Sequence, residues 1–276
     1  MYSIDFENQS GKINICGGIK PLLSPLSVSG LGLPEKEDSV AIFAGQAGQK
    51  LVQSRDTARH ILITGHVHTD YNEAVRACRI LYHPGTLTFR IANTVKSIDA
   101  VCIGFSDKKI EKNGMFYLEI RFRCDNPYFR HPDTVVEYIY NREGKLKSDF
   151  TLPCVISERV TTGFCVNDGD ISAEPVLEVE NRGLNACAGF DIVNITTGKS
   201  LNYRGEIPSG GKIILSVPAR TVTDHLGADK LMYLKEDCYL SEFFLATGEN
   251  ELVFTALSND VWCTCRYNVC FVESIL

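Results

Sequence analysis

The feature that most constrains the fold of this chain is its last hundred residues, where short apolar–polar alternations follow one another across glycine-bearing turns. From Pro175 the sequence runs PVLEVENRG, AGFDIVNITTGKSLNYRGEI and PSGGKIILSV, and after a polar stretch it resumes with YLKEDCYLSEFFLATGENELVFTAL and VWCTCRYNVCFV. In the last segment Val261, Cys263, Cys265, Tyr267, Val269 and Phe271 share one parity, and Trp262, Thr264, Arg266 and Asn268 the other. Successive side chains of a strand point to opposite faces, so this pattern predicts a strand with one buried face. Several such strands at short spacing, punctuated by Gly and Asn, predict an antiparallel β-sandwich.

Length and charge narrow the class. A chain of 276 residues forms one large or two medium domains with real hydrophobic cores. Net charge is −6, and the densest basic clusters are Lys108-Lys109 and Arg121/Arg123. A surface that grips duplex DNA needs a concentrated basic face, so specific nucleic-acid binding is not expected. No stretch approaches the roughly 18 apolar residues of a membrane span. The opening MYSIDFENQSGK is acidic and lacks an apolar core, so neither a secretory signal nor a membrane anchor is expected. The eleven cysteines are odd in number and spread through the chain. They read as reduced, buried, small apolar residues rather than a disulfide framework. Cys263 and Cys265 lie on the apolar parity of the last strand, with no second Cys pair to complete a zinc site.

The first half has a different texture. Residues 1–60 carry seven glycines between short apolar pieces, with Pro21, Pro25 and Pro34 among them. This predicts loops and short strands, with Leu22 to Gln53 a long extended excursion. In ARHILITGHVHTD, Ile61, Ile63 and Val67 share one face of a strand, and Leu62, Thr64, His66 and His68 the other. Asn72 reads as a helix N-cap with Glu73 in the first turn. Ala74, Ala77, Cys78, Leu81 and Tyr82 then fall at helical spacing, and Pro84-Gly85 stops the helix. TLTFRI, KSIDAVCIGFS and GMFYLEIRFRC read as three strands, the last two paired. The change from Arg121–Phe129 to the polar HPDT…NREGKLKSDF places a domain boundary near residue 131.

Four constellations suggest chemistry. NITTGKS ends like a phosphate-binding loop, but Val193 stands where its first glycine belongs and no helix follows, so Gly198 reads as a hairpin turn. His66 and His68 sit about 6.6 Å apart on one strand face, a spacing two metal ligands can use. His60 shares their parity about 20 Å away, too far to be the third ligand. Glu178 and Glu180 share the face opposite Leu177 and Val179 and read as a solvated sheet face rather than a glycosidase pair. Trp262 lies on the non-core parity of the last strand, where an indole stacks on a sugar or packs against protein.

The order of these elements resembles one family, the distal tail proteins of siphovirus-type (long-tailed) phages and prophages. The strand, the helix with Arg76 and Arg79, and YHPGTLTFRI look like that family's ring domain. RFRCDNPYF matches its closing element, NDGDISAEPVLEVE the start of its sandwich, NITTGKSL its hairpin turn and GENELVF the turn into its penultimate strand. The resemblance runs from about residue 55 to the end. It implies a mainly β protein with a few helices: residues 1–130 a ring-forming β domain with one helix, and residues 131–276 a galectin-like antiparallel β-sandwich. The implied role is a structural baseplate hub at the virion tail tip, assembled in the host cytoplasm. Its hexameric ring would join the tail tube protein to the tail-associated tip protein and support receptor-binding proteins, while DNA passes through the channel without specific binding. No catalytic residue, cofactor or metal is implied. The alternatives are a carbohydrate-binding module of a tail or adhesion protein, and a β-sandwich metalloenzyme using His66 and His68.

Overall fold

The computed structural model describes residues 2–18, 20–45, 47–67, 71–110, 116–144, 157–256 and 260–274. The chain forms two compact units, Met1–Pro132 together with Phe271–Leu276, and Asp133–Cys270. The last residues, which by sequence continue the sandwich segment, thus belong to the first unit.

In the first unit the chain runs β1 (Tyr2–Asn8), β2 (Gly11–Gly17), β3 (Leu23–Ser29), β4 (Lys36–Ala41), β5 (Lys50–Asp56), β6 (Arg59–Val67), α1 (Tyr71–Leu81), β7 (Gly85–Ile91), β8 (Thr94–Ile110), β9 (Phe116–Cys124) and β10 (Phe129–Arg130). Seven of these strands close into a barrel in the order β8-β7-β1-β2-β3-β6-β9, with β9 pairing back onto β8. The pairings are antiparallel except β2 with β3, which meet in parallel at Cys16 and Leu23. Alternate residues fill the interior, among them Ile4, Phe6, Ile15, Ile61, Ile63, Phe89, Ile120 and Phe122. Phe6 and Phe122 meet at 5.6 Å, and Phe89 stands edge-on to Phe129 at 5.7 Å. Each fully buried side chain of this size contributes about 1.5–3 kcal/mol of transfer free energy.

Three expectations change here. Leu22 to Gln53 is not one extended excursion: β3 is a barrel strand, and β4 and β5 form a separate two-stranded hairpin. Asn72 lies inside α1 rather than capping it. The buried stripe of the helix is Ala77, Ile80 and Leu81, whereas Cys78 and Tyr82 are exposed. The physical reason is what the barrel offers beneath the helix. Ile80 lies over Gly11, where a Cβ would stand only 3.2 Å from Ile80 Cδ1, so the helix rolls toward that gap. Its C-terminal end is held from the barrel, because Asn8 Nδ2 donates to the carbonyls of Ile80 (2.7 Å) and His83 (3.1 Å). Gly85 opens β7 for a packing reason: a Cβ there would lie 2.5 Å from the Glu7 carbonyl and 2.6 Å from Phe6 Cζ.

The second unit contains β11 (Val135–Gly144), β12 (Ser157–Val160), β13 (Thr162–Asn167), β14 (Val176–Asn181), β15 (Phe190–Asn194), β16 (Lys199–Tyr203), β17 (Lys212–Ser216), β18 (Thr221–Asp224), β19 (Gly248–Ala256) and β20 (Val261–Tyr267). They form two antiparallel sheets, β12-β11-β20-β14-β17-β18 and β13-β19-β15-β16. Leu177, Val179, Leu215, Cys263 and Cys265 bury one face of the first sheet; Phe190, Ile192, Leu201, Tyr203 and Phe254 bury one face of the second. Phe190 stacks on Tyr203 at 5.2 Å and meets Phe254 at 5.8 Å. The Tyr267 hydroxyl on β20 donates to the Val166 carbonyl on β13 (2.9 Å), joining the sheets. The parity read from VWCTCRY is the parity observed.

Sequence reading missed four asparagines, three that end strands and Asn250 near the start of β19. Asn167, Asn181, Asn194 and Asn250 are all buried. Each uses both ends of its amide on nearby backbone: Asn250 donates to Ala246 O (2.8 Å) and accepts from Ala246 N (2.8 Å). Asn181 likewise donates to Ile207 O and Asn185 O and accepts from Gly183 N. Such turns satisfy backbone groups that burial would otherwise orphan.

Candidate interaction surfaces

His66 is half-buried with its ring edge-on to Tyr117 at 6.1 Å, and its Nδ1 is enclosed without a hydrogen-bond partner. His68 lies outside the described residues. His60, His83 and His131 are exposed, and among the described residues no three His, Cys, Asp or Glu side chains cluster as a metal site. Gly198 has φ of +70° and sits in the β15–β16 turn, its N–H bonded to Asn194 O at 2.9 Å, as the hairpin reading required. Glu178 pairs with Lys212 and Arg266 at 2.9 Å each, and Glu180 with Arg182 at 2.6 Å. Two carboxylates neutralised in this way form an ion-paired sheet face. Arg182 also lies over the Trp262 ring at 4.2 Å, so one face of the half-buried indole is already covered.

The ten described cysteines are all free thiols. Burial pushes Cys16 up to about 11 and Cys124 up to about 12. Cys263 is raised well above its ordinary value by burial, and Cys265 by its hydrogen bond with Cys165 and then by burial. Thiols held protonated in this way are poor nucleophiles and poor metal ligands.

A buried arginine organises one end of the barrel. Arg59, at the start of β6, is 4% exposed. Its Nε donates to Pro127 O (2.7 Å), one terminal nitrogen donates to Gly30 O (2.7 Å) and Gly32 O (2.6 Å), and the other to Val272 O (2.7 Å). The guanidinium also lies 4.7 Å from the centre of the Phe129 ring. Burial lowers its pKa, yet a guanidinium stays charged in any such setting. The planar fork suits four carbonyls from three separate segments. Gly30 and Gly32 lead into β4 and Arg59 follows β5, so the clamp fixes the base of the β4–β5 hairpin.

That hairpin is an arm. Among the described residues its strands pair only with each other, and nearly every one from 36 to 55 is exposed. The base is further tied by Tyr128 Oη donating to Asp56 Oδ2 (2.6 Å) and by Lys36 with Asp56 (3.4 Å). Arg55 Nε donates to Glu37 on the other side of the ladder (2.9 Å). Further out, Val40 is 41%, Ile42 77%, Phe43 51%, Leu51 55% and Val52 67% exposed. Apolar side chains grouped on an exposed hairpin mark a surface built for contact.

A second surface lies between β2 and α1 in the same unit. A cleft of about 130 Å³ has Ile13, Leu22 and Ala77 along its walls and Lys12, Lys20 and Arg76 around them. Lys12 is ion-paired with Glu7 at 3.5 Å. Lys20 and Arg76 have no acidic partner among the described residues. Lys20 also holds a left-handed backbone, φ +54°, which costs a non-glycine residue on the order of 1 kcal/mol.

No protein-family model matches the chain, and no curated protein matches it in sequence. Its fold has solved counterparts. The crystal structure of SPP1 Dit (gp 19.1), a hub adsorption apparatus protein of Gram-positive infecting phages, matches 98% of this chain and 99% of its own, with a TM-score of 0.71 and 12% identity. Two structures of the phage P2 baseplate in its activated conformation, with Ca and with Sr, match 96% of this chain and 98% of theirs, with a TM-score of 0.52 and 12% identity. At that identity the likeness is one of fold, and it extends over nearly the whole chain.

Proposed function

We propose that this chain is a distal tail protein of a siphovirus-type phage or prophage, a structural hub of the tail tip that performs no catalysis. The observation that carries this reading is coverage: a fold likeness over 98% of the chain to one hub protein accounts for barrel and sandwich at once. The family resemblance read from residue 55 onward points the same way from sequence alone. In this reading the two compact units are separate domains. The barrel unit forms a six-membered ring that continues the tail tube, and the sandwich unit is a platform for tail-tip and receptor-binding proteins. Barrel closure removes the free edges of its seven strands, so copies associate through added elements such as the β4–β5 hairpin. Identical head-to-tail contacts close such a ring. The net charge of −6 suits a ring through which DNA passes without being held.

The test is the particle itself. Purified full-length chain, concentrated or mixed with the tail tube protein, is imaged and weighed by light scattering. A hexamer with an open channel wide enough for duplex DNA is the expected result. A closed dimer without a channel would overturn the hub reading.

A further inference from the structure

We infer that the Asp38-bearing face of the β4–β5 arm docks into the basic cleft between β2 and α1 of a second copy of this chain. The inference rests on the ring reading and supplies the contact that closes the ring. Along β4, alternate residues share a face, so Lys36 and Asp38 lie together opposite Asp56 and Ser54 of β5, and beyond an irregularity in the ladder at Val52 the next residue of that face, Val40, pairs with Leu51. Lys36 and Asp56 neutralise each other at the base. Asp38 has no basic partner among the described residues, and beyond it Val40 and Leu51 are exposed. That face therefore presents one uncompensated carboxylate next to apolar side chains. The cleft presents the complement: apolar walls from Ile13, Leu22 and Ala77, with the cations Lys20 and Arg76, which have no acidic partner among the described residues. Its 130 Å³ is close to the roughly 150 Å³ that admits a benzene ring, ample for a carboxylate side chain.

The topology makes this a contact between copies. Leu22 of the cleft immediately precedes β3, whereas the arm leaves from beyond Ser29 at the other end of that strand. Seven residues of strand separate the two by roughly 20 Å. Asp38, Lys20 and Arg76 are all exposed in the single chain, so arm and cleft do not meet within it. The contact uses two different surfaces of the same molecule, which is the heterologous kind that generates rings. A duplex phosphate backbone is a poorer occupant, because it calls for an extended basic stripe, and this is a single recess in a chain of net charge −6.

The experiment is a charge swap in the full-length chain. Lys20→Glu with Arg76→Glu, Asp38→Lys, and the three together are compared with wild type for the concentration at which rings assemble, with thermal melts confirming that each variant is folded. Like-charge juxtaposition at an interface is costly. Each half-swap is expected to raise the assembly concentration about tenfold or more, and the full swap to return it to within about threefold of wild type. Assembly unaffected by the half-swaps, or not rescued by the full swap, overturns the arm-to-cleft contact while leaving the ring in place. Wild-type chain that stays monomeric at every concentration, even with tail tube protein, removes the ring and this contact together.

Discussion

Two hairpins of this molecule share one secondary structure and have opposite fates. β15–β16 pairs five residues on each strand, from Phe190 opposite Tyr203 to Asn194 opposite Lys199. β4–β5 pairs six, from Lys36 opposite Asp56 to Ala41 opposite Lys50. The first sits inside a four-stranded sheet with Phe190, Ile192 and Leu201 wholly buried. The second joins no other strand and leaves Val40, Leu51 and Val52 in solvent. An isolated two-stranded hairpin is marginal in water, so the arm depends on its anchored base: the Arg59 clamp, Tyr128 on Asp56, and the Lys36–Asp56 and Glu37–Arg55 pairs. Apolar residues of the first hairpin stabilise the chain that carries them. Those of the second are available to another molecule.

Truncating the core hairpin should cost the chain most. Phe190→Ala removes a ring that packs on Tyr203 and Phe254, and it should destabilise the sandwich unit by about 3–5 kcal/mol in urea unfolding. A loss below about 1 kcal/mol would mean that this hairpin is no better supported than the arm.

A smaller effect is expected at the base of the arm. The Tyr128 hydroxyl, ahead of Lys36, holds the Asp56 carboxyl below the usual aspartate range. A folded-state pKa lowered in this way adds stability above the unfolded value near 3.9, and that contribution disappears as pH falls through the folded value. Tyr128→Phe removes the donor, at a cost of about 1 kcal/mol. In an NMR titration the Asp56 pKa should rise toward the unfolded value, so the acid-side loss becomes smaller and is complete at a higher pH than in wild type. An unchanged Asp56 titration would show that the hydroxyl does not hold the arm.

Sequence reading recovered the elements whose pattern is local. Val261 to Tyr267 alternates because one sheet face is buried, and Leu177 and Val179 do the same with Glu178 and Glu180 outside. The pairing of β8 with β9 also followed from their adjacency in the chain. Barrel closure was not legible, because β1 pairs with β7 some eighty residues away and nothing local encodes that register. Nothing local marks Arg59, since its acceptors Pro127, Gly30, Gly32 and Val272 come from distant segments. The basic cleft was hidden for the same reason: Lys12, Lys20 and Arg76 form no run, and the fold alone brings them together. The arm was hidden by its own exposure. A hairpin whose apolar residues await a partner lacks the inside–outside alternation that a strand in its own core displays.

Exposed apolar residues of the arm should matter little to the stability of the single chain. Leu51→Ser with Val52→Ser changes two exposed apolar residues near the end of the arm, 55% and 67% accessible. Surface substitutions away from packed features shift stability by no more than about 0.5 kcal/mol, so the melting temperature of the single chain should barely move. Ring assembly should weaken, because a buried interface loses two apolar side chains each time a copy is added. The same change at Ile192, fully buried in the other hairpin, should unfold the sandwich before any question of assembly arises. If the arm variant instead melts several degrees lower as a monomer, Leu51 and Val52 pack within their own chain, and the contrast between the two hairpins does not hold.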